Sequence, residues 1–430
     1  MSDIDTLAAA VPANVRQVCA TLTTAGHQAV TVGGAVRDAL LGREPGDWDV
    51  ATSARPEAVL ALFKHTVPTG LQHGTVTIVT GRGEASHVEV TTFRGEGAYT
   101  DARRPDHVVF GVPLVEDLAR RDLRVNAMAF DPATRELHDP FDGRVDIAER
   151  RLRAVGPTGN VYEDAVARFT EDGLRVMRAG RFAAVLEFAL DPDTERGIPP
   201  ALPSLAKVSR ERVSDELRKI LATREPSRAL AIAQRVGILH VIAPELAAPV
   251  ATHVAMWLAR IDAAGADARL AAFTLDLALA APASARADRK AGAEVEKLLR
   301  RLKFSNDESA LAAALAAVGG AARLATWTEP AARRLLADLG RARISAAVDL
   351  WRASGATTLP DIASTIATRG DPLALGELAI TGKDLMETLA MPAGRAIGQT
   401  LSALLDQVLD DPTLNTKPHL LALASARRDL

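Results

Sequence analysis

The sequence predicts an α+β protein, a small α/β unit at the N-terminus followed by a long all-helical remainder. Three observations predict it. Short β-rich runs are confined to roughly the first 155 residues. From about Asn160 onward the apolar residues recur at spacings of three and four. Alanine, the best helix former, is abundant, while only 4% of the residues are aromatic.

The β-rich runs are Ala29–Val32, Trp48–Ala51, Thr75–Thr80, Val88–Phe93 and Val108–Phe110, with helical stretches such as Pro56–Lys64 between them. Strands interleaved with helices indicate an α/β layer arrangement. In the second part, Pro or Gly breaks fall near 197–203, 243–249, 281–288, 319–320, 355–360 and 370–372, which divides it into modules of short helices. No fixed-period repeat is present, so a solenoid is not expected.

The 430 residues suffice for two to four domains with real cores. Cys19 is the one cysteine, which excludes a disulfide framework and a cysteine zinc site. The N-terminal segment lacks a basic and apolar leader pattern, and no uncharged apolar run is long enough to span a bilayer. A soluble cytoplasmic protein with no membrane association is expected, and no obligatory protein partner is evident. The net charge of −3 argues against a nucleic-acid partner only if charge is averaged over the chain. Local clusters count for more, because screening acts within about 8–10 Å. Arg103–Arg104, Arg120–Arg121–Arg124, Lys207 to Lys219 and Arg286 to Lys303 are all locally basic. The last two fit solvated helix faces equally well.

Three elements in the first part carry chemistry. Thr31 to Asp38 reads as an apolar strand, the pair Gly33-Gly34, then a helix with Arg37 one turn in. Glycines admit a ligand close to the backbone, and a helix N-terminus offers N–H groups to an anion. The pattern is not a Walker loop. The second element, Gly46 to Thr52, holds Asp47 and Asp49 two apart, hence on one face if both lie in a strand. Two like charges so close call for a cation, and hard oxygen ligands suit Mg2+. In the third, Glu89 alternates with Val88 and Val90. If that run pairs beside the second, Glu89 completes a three-carboxylate cluster able to hold two metals. A solvated loop for the aspartates and an exposed strand face for Glu89 are the plainer alternatives.

These residues carry a resemblance. Gly33 to Asp38, Leu40 to Arg43 and Asp47-x-Asp49 resemble the opening of the class II tRNA nucleotidyltransferase and bacterial poly(A) polymerase family. Glu89 to Arg94 resembles the strand bearing its third carboxylate. Arg94, Tyr99, Asp101, Arg103 and Arg104 resemble its flexible loop. Glu116 through Arg121-Asp122 to Asn126 resembles its ribose-contacting motif, followed by an apolar run, Asn126–Phe130, read as a strand. Glu171-Asp172-Gly173-Leu174-Arg175 with Arg178, Arg181 and Phe182 resembles its base-selecting helix. Five ordered motifs across about 150 residues are a specific match.

The resemblance implies a head on a mixed sheet over residues 1–155, a helical neck over 156–225, a body over 226–330 and a tRNA-binding tail over 331–430. It implies in-line attack of an RNA 3′-hydroxyl on the α-phosphate of CTP or ATP, with Asp47, Asp49 and Glu89 holding Mg2+. Gly33, Gly34, Arg37, Arg121, Asp122, Asn126, Arg178 and Arg181 would bind the nucleotide, with Asp122 reading the ribose 2′-hydroxyl. Asp172 and Arg175, read as neighbours on one helix, would match the amino donor and ring acceptor that cytosine and adenine share. On the residues alone, a charged amphipathic helix explains that segment as well. The middle of the chain lacks the adjacent His-Asp pair of some relatives, so no phosphohydrolase is expected, and His253 and Asp276 are assigned structural positions. Full CCA addition is favoured by the intact loop Arg94–Phe110. A-only addition, poly(A) synthesis and a non-catalytic RNA-binding role are the alternatives. Oligomeric state, tRNA affinity and metal preference are not legible.

Overall fold

The computed structural model describes residues 3–83, 86–96 and 108–428. The chain forms two compact units, residues 1–223 with 228–242, and residues 224–227 with 243–430.

The first unit opens with α1 (Asp3–Ala10) and α2 (Ala13–Thr24), which pack by Leu7, Val15, Val18 and Leu22 into the head core. β1 (Ala29–Val32) then enters the sheet and passes at Gly33 into α3 (Gly34–Leu40). β2 (Asp49–Thr52), α4 (Pro56–Leu62), β3 (Thr66–Gly70), β4 (Thr75–Val79) and β5 (His87–Thr92) follow. Next come β6 (Arg94–Glu96), β7 (Val108–Phe110), α5 (Leu114–Ala119), β8 (Ala129–Phe130), β9 (Leu137–His138), α6 (Gly143–Glu149) and β10 (Arg151–Leu152).

The main sheet has seven strands in the order β3-β4-β5-β2-β1-β8-β9. It is mixed, as expected: β2 runs antiparallel to β1 and parallel to β5. The parallel register sets Asp49 opposite Glu89. Val50, Val88 and Val90 point the other way and are fully buried, so period-two alternation puts the acids on the open face.

The structure departs from the sequence expectations at four places. β3 was not foreseen; its sequence holds Pro68 and it is largely exposed, as suits an edge strand. Val108–Phe110 is a strand as expected, β7, and pairs with β6 as a ribbon separate from the main sheet. The strand expected over Asn126–Phe130 is shortened to β8. The Asp122 carboxylate accepts from Leu123 N–H and Asn126 Nδ2, which folds Arg124–Asn126 into a 3-10 turn instead. Asp47 precedes β2 rather than lying in it, so strand alternation does not account for its direction.

The helices after β10 carry the fourth correction. α7 (Val161–Glu171) ends at Asp172, and α8 (Leu174–Leu186) begins two residues later. Asp172 is extended, with φ −134° and ψ 103°, so it does not share a helix with Arg175. β11 (Ala189–Leu190), α9 (Pro192–Arg196), α10 (Ile198–Lys207) and α11 (Arg210–Leu221) complete this region. The break is enforced at Gly173, where an added Cβ would sit 2.2 Å from Leu205 N and 2.3 Å from Ser204 C. Both are backbone atoms of α10 and cannot swing aside. Gly173→Ala should therefore cost about 3 kcal/mol and lower Tm by roughly 5–10 °C. Calorimetric unfolding at an unchanged temperature would show that α10 yields.

The second unit is helical. His253 Nε2 and Arg260 both engage the buried Asp276 carboxylate, and Trp257 Nε1 donates to Phe273 O at 2.9 Å. These contacts staple helix Val254–Ala263 to Ala266–Thr274. Ser305 with Glu308 and Thr381 with Asp384 form capping boxes. Leu385, Leu404, Val408 and Leu420 make a local core at the C-terminal end.

Candidate active site

One cleft of about 900 Å³ lies within the first unit. Twelve residues singled out in the sequence line it: Gly34, Arg37, Asp47, Asp49, Glu89, Arg121, Asp122, Asn126, Asp172, Arg175, Arg178 and Arg181. Arg120, Leu174, Phe182, Arg212 and Lys219 complete the lining. Eight cationic side chains thus face five carboxylates, in a chain whose overall charge is negative. That excess suits a polyanion.

The acidic wall comes from the β2–β5 pair. Asp47, Asp49 and Glu89 are all exposed to the cleft. Asp49 is pushed up to about 6, first by burial of its carboxylate against protein, then by the nearby Glu89 charge and, more weakly, Asp47; Arg121 opposes the shift. A carboxylate placed among like charges in this way is stabilised in its ionised form by a cation between them. Among the described residues, no three His, Cys, Asp or Glu side chains are already gathered around one point. The donors nevertheless fit a hard divalent ion, being carboxylate oxygens on exposed side chains that are free to close on it.

Opposite stands Arg121. Its Nε is buried without a hydrogen-bond partner, and its Nη2 is 3.7 Å from Asp117. An under-satisfied guanidinium beside Asp49 is suited to an incoming phosphate oxygen. Gly33 makes room for it, with φ +76° and an imaginary Cβ only 2.6 Å from Arg121 Nη1. The glycine pair thus does two jobs, turning the chain and clearing space for Arg121. Gly33 itself lies beneath the cleft and does not line it.

Asp122, Asn126 and Arg37 form a linked row. Asp122 accepts from Asn126 Nδ2 at 2.9 Å and from Arg178 at 2.7 and 2.8 Å. Arg37 Nη1 donates to Asn126 Oδ1, and the rest of its fork holds Asp38 at 2.8 and 2.9 Å. Burial would raise Asp122, but Arg178 and the Asn126 hydrogen bond hold it well below the usual carboxylate range. Its acceptor positions are therefore taken by protein in this state. A ribose hydroxyl would share them with Arg178 and Asn126.

Asp172 and Arg175 both face the cleft, but they do not pair with each other. Asp172 Oδ1 caps α8 through Leu174 N–H at 3.0 Å, and Oδ2 receives Arg212 at 2.7 Å. Arg175 donates to Glu171 Oε2 at 2.7 Å and to the carbonyl oxygens of Arg168 and Arg120 at 3.0 and 2.9 Å. The helix break separates the two side chains, and each is braced from a different direction.

Arg94 does not line the cleft. Its guanidinium donates to His73 O at 2.6 Å at the base of the β6–β7 ribbon. Tyr99, Asp101, Arg103 and Arg104 lie outside the described residues. Arg212 and Lys219 belong to the basic cluster Lys207 to Lys219, which the sequence leaves open between a phosphate-attracting surface and a solvated helix face. Their spacing of seven, two helical turns, was the available sign of a shared direction.

A CCA-adding enzyme of Lactococcus lactis subsp. lactis is 35% identical over 397 residues, covering 92% of this chain and 93% of that protein. The chain belongs to the CCA-adding enzyme family. A CCA-adding enzyme of Geobacillus stearothermophilus is 38% identical over 410 residues, 92% of each chain. The solved structure of the Bacillus stearothermophilus CCA-adding enzyme in complex with CTP superposes with a TM-score of 0.72 at 32% identity, covering 96% of both chains. Three domain families match in order: the poly A polymerase head domain over residues 29–153, the probable RNA and SrmB-binding site of polymerase A over 187–249, and the putative tRNA nucleotidyltransferase domain 2 over 289–424. Nucleotidyltransferases of the CCA-adding enzyme family generally use a divalent metal. No helix among the described residues is long and apolar enough to cross a membrane.

Proposed function

We propose that this CCA-adding enzyme extends the 3′ end of tRNA by C, C and A, drawing on CTP and ATP, releasing pyrophosphate and working without a nucleic-acid template in the cytoplasm. One observation carries the reading: the carboxylates of β2 and β5 and the Asp172–Arg175 break face the same cation-rich cleft. Chemistry and base choice then share one cavity, as a protein-templated polymerase requires.

The assigned metal is Mg2+, held by Asp47, Asp49 and Glu89. Bound there, it would make the attacking 3′-hydroxyl more acidic and offset charge on the leaving pyrophosphate. The remaining steps belong to the chain itself. Arg121, seated on Gly33, and Arg37, Arg178 and Arg181 bind the triphosphate and align its α-phosphate for in-line attack. Asp122, Arg178 and Asn126 orient the ribose. Asp172 accepts from the exocyclic amino group of C or A, and Arg175 donates to the neighbouring ring nitrogen. The basic face of helix Arg289–Arg301 is assigned to the tRNA backbone, which is read by shape and charge. The division into head, neck, body and tail at residues 155, 225 and 330 is retained as part of this proposal.

The experiment is incorporation of labelled CTP and ATP into tRNA lacking its terminal CCA, with and without Mg2+. Addition of C, C and then one A, dependent on the metal, is expected. Addition of A alone to tRNA already ending in CC, or of a long A tail, would replace the reading with an A-adding enzyme or a poly(A) polymerase. Tight tRNA binding with no incorporation would leave only a binding protein.

A further inference from the structure

Phe182, on α8, lines the cleft and is 8% exposed. Its nearest charged neighbours are three arginines. The guanidinium carbons of Arg181, Arg37 and Arg178 lie 4.4, 5.2 and 5.4 Å from its ring centroid. Three positive groups around one small ring repel each other, and each is held by its own carboxylate. Arg181 meets Glu216 of α11 at 2.6 Å, Arg178 meets Asp122 at 2.7 Å, and Arg37 meets Asp38 of its own helix at 2.8 Å.

These tethers come from three separate segments, and each secures one arginine at one edge. Asn126 bridges Arg37 to Asp122 and so to Arg178, but that row does not reach Arg181, which is held from α11. The phenyl ring is the shared contact. Its negative π-faces attract guanidinium groups, and with two side-chain torsions it is stiff. An aliphatic side chain of similar size would fill the space without that attraction.

We propose that Phe182 is a positioning residue that holds Arg37, Arg178 and Arg181 as one spaced set for the nucleotide's phosphates. The inference rests on the nucleotidyl-transfer reading above and deepens it. It assigns to the ring the affinity for the triphosphate, which CTP and ATP share, and leaves base choice to Asp172 and Arg175. It also separates ring electrostatics from ring packing, because the two respond differently to electron withdrawal.

The test is steady-state kinetics with CTP and with ATP on matched tRNA acceptors, for the wild type and for Phe182→Leu, Phe182→Tyr and the protein carrying 3,4,5-trifluorophenylalanine at position 182. Melting curves accompany each, and the fluorinated ring preserves shape should the leucine variant fold poorly. Phe182→Leu should raise KM for both nucleotides about tenfold with kcat changed less than about twofold. Phe182→Tyr should restore wild-type KM within about twofold, and the fluorinated ring should fall between. Three results would overturn the inference: an unchanged KM in Phe182→Leu, a loss confined to one of the two nucleotides, or a fluorinated protein equal to wild type. Failure of the wild type itself to incorporate nucleotide would instead remove the functional reading beneath it.

Discussion

Asp49→Asn should lower nucleotide transfer by about a thousandfold or more while making the metal-free protein more stable at neutral pH. The two effects have one cause. Asp49 carries its negative charge against burial and against Glu89, so its folded-state value of about 6 lies above the ordinary 3.8. A group raised on folding favours the protonated native state. Its contribution to stability is fully present below about pH 4 and is lost as pH rises through 6. At pH 7 the ionised carboxylate therefore weighs against the fold, and asparagine, of the same shape, removes that penalty. Because Asp49 is exposed at the open cleft, solvent screening holds the gain to about 1 kcal/mol. Unfolding at pH 4.5 and 7.5, with and without Mg2+, checks the claim. The variant should exceed wild type at pH 7.5 without metal, approach it at pH 4.5, and gain less when Mg2+ is added. Turnover retained by Asp49→Asn would remove the metal assignment.

The second large effect concerns fidelity. Asp172→Asn should admit UTP, reducing the preference for CTP over UTP by about 10–100-fold. A carboxylate can only accept hydrogen bonds, so it rewards the amino group of cytosine or adenine and leaves the uracil carbonyl facing a negative charge. The asparagine amide can turn to donate to that carbonyl. Asp172 is well placed to discriminate, because Leu174 N–H and Arg212 fix both its oxygens and prevent it from adapting to the wrong base. Single-turnover incorporation with each nucleotide measures the ratio. An unchanged ratio, with all nucleotides slowed alike, would show that Asp172 supports the helix break and takes no part in reading the base.

Much of the site was legible because its parts are local. Gly33-Gly34 with Arg37, Asp47-x-Asp49 and Arg121-Asp122 are each contained within a few residues, and all contribute to the cleft or its floor. The alternation that marked Glu89 as outward-facing held in β5, since a strand's two faces are set by sequence parity. The helix over Glu171 to Arg175 was misread because helical spacing continues through Asp172 without a proline. What interrupts it is the backbone of α10, at Ser204 and Leu205, against Gly173, far along the chain from it. The role of Arg212 and Lys219 stayed open for a related reason. A basic helix face looks the same from its sequence whether it meets solvent or a cleft.

The amino-acid order by itself determined the strands' buried faces, the acidic and glycine motifs, the family and the helical character of everything after about Asn160. Those features follow from local periodicity and short-range chemistry, which the chain carries wherever it goes. Only the tertiary structure decided that β2 lies parallel to β5 with Asp49 opposite Glu89, that Asp172 stands at a break braced by Arg212, and that Phe182 collects three arginines. Each of these joins residues distant along the chain. Such pairings are selected by burial and packing of the whole unit, so no local pattern can specify them.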